Sequence, residues 1–343
     1  MFSLKKTAGS VFSIAISIGV LWFVGDWLLK DADLDQVLQI SSQISLISIL
    51  LLLASAIFNV WIFQYPYLVT TPSLKFWQAF QVRNASFAIS NSLPAGGTIG
   101  LSVQYAMLRS FGIGVKEIGA TVGIASLWNG LISFFMPVLG LVALILVGQS
   151  TQNLVQSTLV GILILIFSLI LFYTSLKSSQ GSLLVGRLLS ILINPIRKIF
   201  RKPEIDLVGS INTFRLSVNE LVKRKWKSIS ITNFLVQIGM FLVFLASAKA
   251  IGIEISSLVI FAIFCFGRVG TTIPLTPGGL GTTDLIMSSL LQFFGVSPEL
   301  SLTAVLLWRG FFYIPQVFLG LLSFIYWQLS RGKSRFNPIP HNN

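Results

Sequence analysis

Residues 268–295 read RVGTTIPLTPGGLGTTDLIMSSLLQFFG, an apolar segment interrupted by Pro274, Pro277 and the pair Gly278-Gly279 before it resumes as a helix. Proline removes a backbone donor, and each glycine costs a helix about 1 kcal/mol relative to alanine. No helix therefore runs through residues 274–281. In hydrocarbon each unpaired N–H or C=O costs several kcal/mol, so a break is tolerated only where protein covers it or it borders a water-filled cavity. The sequence predicts a break that lines a cavity. Beyond it, Gly281, Thr282, Thr283 and Asp284 read as a helix start, with threonine as N-cap and an acid in the first turn.

The rest of the chain supports a membrane setting for this break. Of 343 residues, 54% are hydrophobic and 10% are charged, where soluble domains carry about a quarter charged. The class is an all-α polytopic membrane protein, read as a single domain over 1–343. Cys265 alone excludes an internal disulfide, and His341 in a polar tail has no companion, so neither metal nor cofactor is expected. Zinc-protease, redox-dithiol, serine-hydrolase and P-loop patterns are absent, and no catalytic residue is assigned. The formal charge of +13 is concentrated: residues 177–227 hold 11 lysines and arginines against 3 acids, and Lys5, Lys6, Arg331, Lys333 and Arg335 lie near the ends. These clusters flank apolar spans, so they report orientation rather than nucleic-acid binding. They place both termini and 177–227 in the cytoplasm, with the chain in the inner or plasma membrane.

Apolar stretches at 7–29, 44–65, 118–148, 154–176, 228–249, 257–274 and 300–329, with a broken helix at 75–97 and short helices at 98–112 and 276–295, give six to eight spanning helices. The first stretch is too long for a signal-peptide core and reads as a retained helix. Within 177–227, Leu207, Ile211, Phe214, Val218 and Leu221 recur at spacings of 4, 3, 4 and 3, the pattern of an amphipathic helix lying on an anionic cytoplasmic leaflet. Trp22, Trp27, Trp61, Trp77, Trp226 and Trp327 near span ends fit an interfacial belt.

The central stretch has an earlier partner. Pro94-Ala95-Gly96-Gly97 corresponds to Pro277-Gly278-Gly279, Phe111-Gly112 to Phe294-Gly295, Glu117 to Glu299, and Trp128-Asn129-Gly130 to Trp308-Arg309-Gly310, at offsets of 180 to 183. This common order predicts two repeats, at about 75–148 and 257–329, each with a Pro/Gly-broken, re-entrant helix pair. An odd number of crossings between them makes the repeats inverted, and paired broken helices in inverted repeats point to a midplane substrate site in secondary transporters.

Arg268 and Arg309 sit within apolar runs, where a charge costs at least about 2.5–3.5 kcal/mol at helix centre and by default faces a cavity or a partner. Either they clamp a phosphate with guanidinium forks, or one of them pairs Asp284 or caps broken-helix carbonyls. Asp284 is either a counter-ion or proton site, or a first-turn acid favoured by the helix dipole. The backbone N–H groups from Gly279 through Gly281 and Thr282 to Thr283 offer an anion site for which Asp284 competes. In the first half, Arg83, Asn84 and Gln104 line a share of the cavity, or Arg83 snorkels from an interfacial helix start. Ser102 stands where the second repeat has Asp284, and Asn129 where it has Arg309, which concentrates charge in the second repeat. Glu117 and Glu299 read as helix starts.

The run PLTPGGLGTTD at 274–284, with Arg268 before it and Arg309 beyond, together with NSLPAGGTIGLSVQYAMLRSFGI at 91–113, resembles the transmembrane region of the lysylphosphatidylglycerol synthetase family, also called flippase-like. The resemblance covers nearly the whole chain. It implies a lipid-handling membrane domain, in some relatives fused to a soluble aminoacyl-transferase; only 14 residues follow Leu329, so that activity is not carried over. The expected function is a flippase-like transporter of an anionic lipid or lipid-linked head group, with membrane phospholipids as partners. The alternative is a non-catalytic partner or scaffold of a lipid-modifying enzyme. Gly119-xxx-Gly123 is a weak signal for a homo-oligomer.

Overall fold

The computed structural model describes residues 33–93, 96–149, 152–199, 206–271 and 277–334. The expected span at 7–29, Trp22, Trp27, Pro94, Pro274 and His341 lie outside the described residues. Among the described residues the regular structure is helical throughout: α1 (Leu34–Ser42), α2 (Leu46–Ile62), α3 (Tyr65–Thr70), α4 (Phe76–Ser92), α5 (Gly96–Ser110), α6 (Val115–Leu146), α7 (Gln152–Lys177), α8 (Ser179–Ile199), α9 (Leu207–Ala250), α10 (Ser257–Gly270), a 3-10 turn (Pro277–Gly279), α11 (Thr282–Phe293) and α12 (Pro298–Ser334). Four segments among them are long and apolar enough to cross a bilayer: Leu46–Thr70, Val115–Leu146, Val218–Ala250 and Pro298–Ser330. Exposed Leu46, Ile47, Ile57, Leu163 and Ile314 form the outer face that only lipid covers without cost. The main core joins Ile124 and Met136 of α6, Phe244 of α9, Phe264 of α10 and Trp308 of α12.

Two helical hairpins carry the breaks. In the first, a Cβ at Gly96 would collide with the Ile89 and Ser90 carbonyls, and one at Gly100 with the Ser90 hydroxyl and the Ser86 backbone. The contacts move down α4 as they move up α5, so the two helices run antiparallel in close contact. In the second hairpin, Gly270 abuts Thr283 and Gly267 abuts Met287, which runs α10 and α11 antiparallel in the same way. At 1.5 Å per residue, the 15 residues of α5 and the 12 of α11 span only about 22 Å and 18 Å, short of a hydrocarbon core of about 30 Å. Each hairpin then turns into a long helix through a left-handed glycine, Gly112 (φ 85°) or Gly295 (φ 87°). At both turns the N–H of the following residue reaches back to a helical carbonyl, Ile113 to Leu108 at 3.2 Å and Val296 to Leu291 at 3.1 Å.

The units are interleaved. The first helix of each packs most extensively on the last helix of the other: α4 on α12, and α10 on α6. Glycines 180 residues apart permit both contacts. A Cβ at Gly320 would collide with the Asn84 carbonyl on α4, and one at Gly140 would come within 3.0 Å of the Cys265 Cβ on α10.

Two expectations are corrected. The amphipathic stretch at 207–221 is not a separate surface helix but the start of the 44-residue α9, which runs unbroken into the apolar span. At about 66 Å, α9 exceeds twice the hydrocarbon thickness, so its first turns project beyond the membrane, paired with α8. Its apolar face is covered by protein: Val218 is fully buried, and Phe214 packs on Gly123, which is thereby engaged within the chain. Trp327 is not a lipid-facing belt residue; it is 5% exposed and donates its indole N–H to Ser110 at 2.8 Å. Trp61 and Trp77 are exposed near helix ends as expected, and Trp226 is exposed in the middle of α9.

Candidate functional site

The second break is built from glycines in the left-handed region: Gly278 (φ 62°), Gly279 (φ 65°) and Gly281 (φ 86°). A side chain in this conformation is disfavoured by roughly 1–2 kcal/mol, so the run of glycines lets the chain reverse within a few residues. The reversal exposes carbonyls that no helix satisfies, and Arg309 from α12 meets them. Its Nη2 donates to the Gly279 oxygen at 3.0 Å and its Nη1 reaches the Gly278 oxygen at 3.5 Å. Its Nε donates to Asp284 Oδ1 at 2.6 Å. The other carboxylate oxygen of Asp284 accepts the Gly281 N–H at 2.8 Å. One guanidinium and one carboxylate therefore hold both sides of the break, and the indole of Trp308 lies 4.8 Å under the guanidinium carbon.

In this geometry Asp284 is the acid of the first turn, and it pairs Arg309 as the structural alternative for the arginines has it. Gly281, not a threonine, occupies the N-cap position. The backbone anion site anticipated at Gly279–Thr283 is filled at Gly281 by the protein's own carboxylate. Thr282 ties the hairpin shut through its hydroxyl, which donates to the Gly270 oxygen at 3.0 Å and the Gly279 oxygen at 3.3 Å. Thr283 is buried between the arms, its hydroxyl without a hydrogen-bond partner among the described residues. Pro277 opens the 3-10 turn.

Arg268 differs from Arg309. It lies in the last turn of α10, is 8% exposed, and its buried Nε has no hydrogen-bond partner among the described residues. Asp284 is committed to Arg309, so Arg268 has no countercharge among the described residues, and it lies within electrostatic reach of Arg309. A buried ion without a partner is destabilising by several kcal/mol, and such a group persists where a ligand, water or function answers it.

The first hairpin supplies polarity without a buried ion pair among the described residues. Arg83 lies 3.9 Å from the Phe63 ring centre and 4.7 Å from that of Tyr67, and its Nε donates to the Phe63 carbonyl at 3.1 Å. Tyr67 donates to Gln104 at 2.8 Å, and Gln104 donates to the Ser86 hydroxyl at 2.7 Å. These bonds clip α5 to α4 and place Arg83 and Gln104 in one network. Asn84 is fully buried where Gly320 of α12 crosses α4. Gly96 is buried in the turn, whereas Gly97 is exposed, as are Ser102 and Asn129.

The two hairpin tips meet, although 91-NSLPAGG-97 and 277-PGGLG-281 are distant in sequence. A Cβ at Gly278 would come within 2.7 Å of the Asn91 side-chain oxygen, and Tyr313 of α12 donates its hydroxyl to the Asn91 carbonyl. Asn91 and Tyr313 were not among the residues singled out from sequence. Asn91 stands three residues before Pro94, and Tyr313 one helical turn after Arg309; proximity to known breaks was the available signal.

Comparison with known proteins agrees with this architecture. A UPF0104 membrane protein of Methanothermobacter thermautotrophicus is 26% identical over 240 residues, covering 67% of this chain and 69% of that protein. Residues 10–320 match the family described as the lysylphosphatidylglycerol synthase TM region. With helical hairpins, apolar spans and a match across most of its length, the chain is a member of the lysylphosphatidylglycerol synthase TM region family.

Proposed function

We propose that this membrane protein is a transporter of flippase type, in which the meeting hairpin tips of two inverted repeats pass an anionic lipid head group across the bilayer while the acyl chains stay in lipid. The observation that carries this reading is Arg268, buried beside the break of the second hairpin with no countercharge among the described residues. Arg268, Arg309 and Asp284 sum to +1, and a phosphate oxygen supplies both the missing charge and the missing acceptor. A guanidinium suits this task because it stays ionised when desolvated and offers a planar fork to a phosphate. Arg309 is committed to the break, so its contribution is to shape and to polarise the site, with Arg268 as the contact. The distribution of basic residues supports a cytoplasmic position for both termini.

The test is leaflet exchange of labelled phosphatidylglycerol in liposomes containing the purified chain. Wild type accelerates exchange over protein-free vesicles, and Arg268→Gln, which keeps the side chain polar and removes its charge, slows it at least tenfold. Unchanged exchange in folded Arg268→Gln refutes the role of Arg268; absence of exchange in wild type for every anionic lipid refutes transport. A second reading, a scaffold for a lipid-modifying enzyme, is favoured by the α8–α9 arm, where Arg187, Lys198, Lys223, Arg224 and Lys227 are exposed. A stoichiometric partner lost on charge reversal of that arm, with no exchange by the chain alone, would support it.

A further inference from the structure

Away from the breaks, three helix ends enclose a cleft of about 340 Å³, between the start of α4, the end of α5 and the last turns of α12. It is independent of the site around Arg268 and uses different chemistry. Trp77, Gln78 and Gln81 come from α4, Ser110 from α5, and Tyr326 and Trp327 from α12; no charged side chain lines it among the described residues.

Its walls are held in place before any ligand arrives. Trp327 is buried and fixed by its bond to Ser110. Trp77 is 68% exposed, yet Phe76 and Phe80 meet its ring edge-on at 5.6 and 5.4 Å, holding it from behind. The Gln78 side-chain oxygen accepts the Lys75 N–H at 2.9 Å, which turns its amide group to a known orientation and leaves the NH2 to donate elsewhere. The Gln81 amide and the Tyr326 hydroxyl have no hydrogen-bond partner among the described residues, so the cleft presents donors and acceptors beside open aromatic faces.

We propose that this cleft binds a neutral, hydroxyl-rich group: a single sugar ring, or a polyol of that size. The aromatic faces cover the C–H surface of such a ring, and the amides and hydroxyls answer its hydroxyl groups. An anionic phosphate finds no cation here. A quaternary ammonium would use the aromatic faces but leave the glutamine amides unanswered. The volume of about 340 Å³ sits at the lower end of the range for small-molecule sites, about 300–1,000 Å³, and holds one ring. The cleft lies where the apolar segment Pro298–Ser330 ends, at the level of the lipid head groups, so the group is presented on a glycolipid or free in the adjoining water.

The experiment uses the full chain in phosphatidylcholine nanodiscs, avoiding sugar-headed detergents. Enrichment of monoglucosyl diacylglycerol is read by native mass spectrometry, and binding of methyl glucoside by saturation-transfer NMR. Wild type is expected to enrich the glycolipid over the phosphatidylcholine background, and Gln81→Leu and Trp77→Ala, at exposed or half-buried positions, to weaken binding at least fivefold. Glycolipid binding without methyl glucoside binding assigns a lipid-borne ligand; binding of both assigns the sugar itself. No enrichment and no methyl glucoside binding, or binding equal to wild type in both variants, overturns the proposal. Leu163→Ala, on the lipid-facing side of α7 and away from both sites, serves as the control whose glycolipid binding stays at the wild-type level.

Discussion

Replacing Asp284 by alanine removes the carboxylate that holds both Arg309 and the Gly281 N–H. Both side chains are 12% exposed, so the guanidinium is left largely desolvated and the N-cap loses its acceptor. Stranding one member of a buried pair costs about 3–5 kcal/mol, and a lost cap adds about 1 kcal/mol. Residual exposure places the total near the lower bound, about 3–4 kcal/mol. At about 2 °C per kcal/mol for a large domain, the melting temperature falls by at least about 6 °C. The assay is built into the chain: Cys265 is the single cysteine and is buried, so a maleimide dye reports unfolding in detergent without further labelling. Arg309→Ala should cost a similar amount, because it strands Asp284 and frees the Gly279 carbonyl. The double variant should lose about 2 kcal/mol less than the sum of the two, since each single change already forfeits the shared interaction. Strictly additive losses would refute the ion pair as the clasp of the break.

Three further outcomes follow from the same geometry. Gly281→Ala forces a side chain into φ 86° and should lower stability by about 1–2 kcal/mol, read by the same dye. Gly320→Ala should separate α12 from α4 and cost about 1–3 kcal/mol by overpacking, whereas Gly140→Ala, whose Cβ meets the Cys265 Cβ at 3.0 Å, should cost less; the reverse order would contradict the closeness of the α4–α12 crossing. Arg83→Gln should lose the ring contacts with Phe63 and Tyr67 and the bond to the Phe63 carbonyl, about 1–2 kcal/mol in total, with leaflet exchange retained, because Arg83 is already occupied.

The break at 274–281 was readable in the sequence because proline and glycine act through the local backbone, and its glycines do adopt the left-handed region. That Arg309 rather than Arg268 takes Asp284 was not, because residues 25 apart on different helices are brought together by packing, which spacing does not encode. The face formed by Leu207, Ile211, Phe214 and Val218 was correctly found apolar, but periodicity says only that a face needs cover. In the fold the cover is Gly123 and its neighbours rather than lipid. Trp327 shows the same limit, since a tryptophan at a span end suits the bilayer interface equally well as the Ser110 hydroxyl it meets. Asn91 went unremarked because its value lies in touching the opposite tip.

The interleaving of the two units also bears on how the chain is made. Tyr313 and the Asn91 carbonyl are separated by 222 residues, and Trp327 and Ser110 by 217. At synthesis rates of about 5–20 residues per second, the first hairpin is complete on the order of ten seconds or more before α12 emerges to cover it. Throughout that interval the side of α4 carrying Asn84, Ala88 and Asn91 lacks its partner inside the membrane. Neither half is a self-sufficient folding unit, so the two produced as separate polypeptides should assemble only when made together, and the waiting hairpin is the stage of biogenesis most exposed to a membrane chaperone or a quality-control protease.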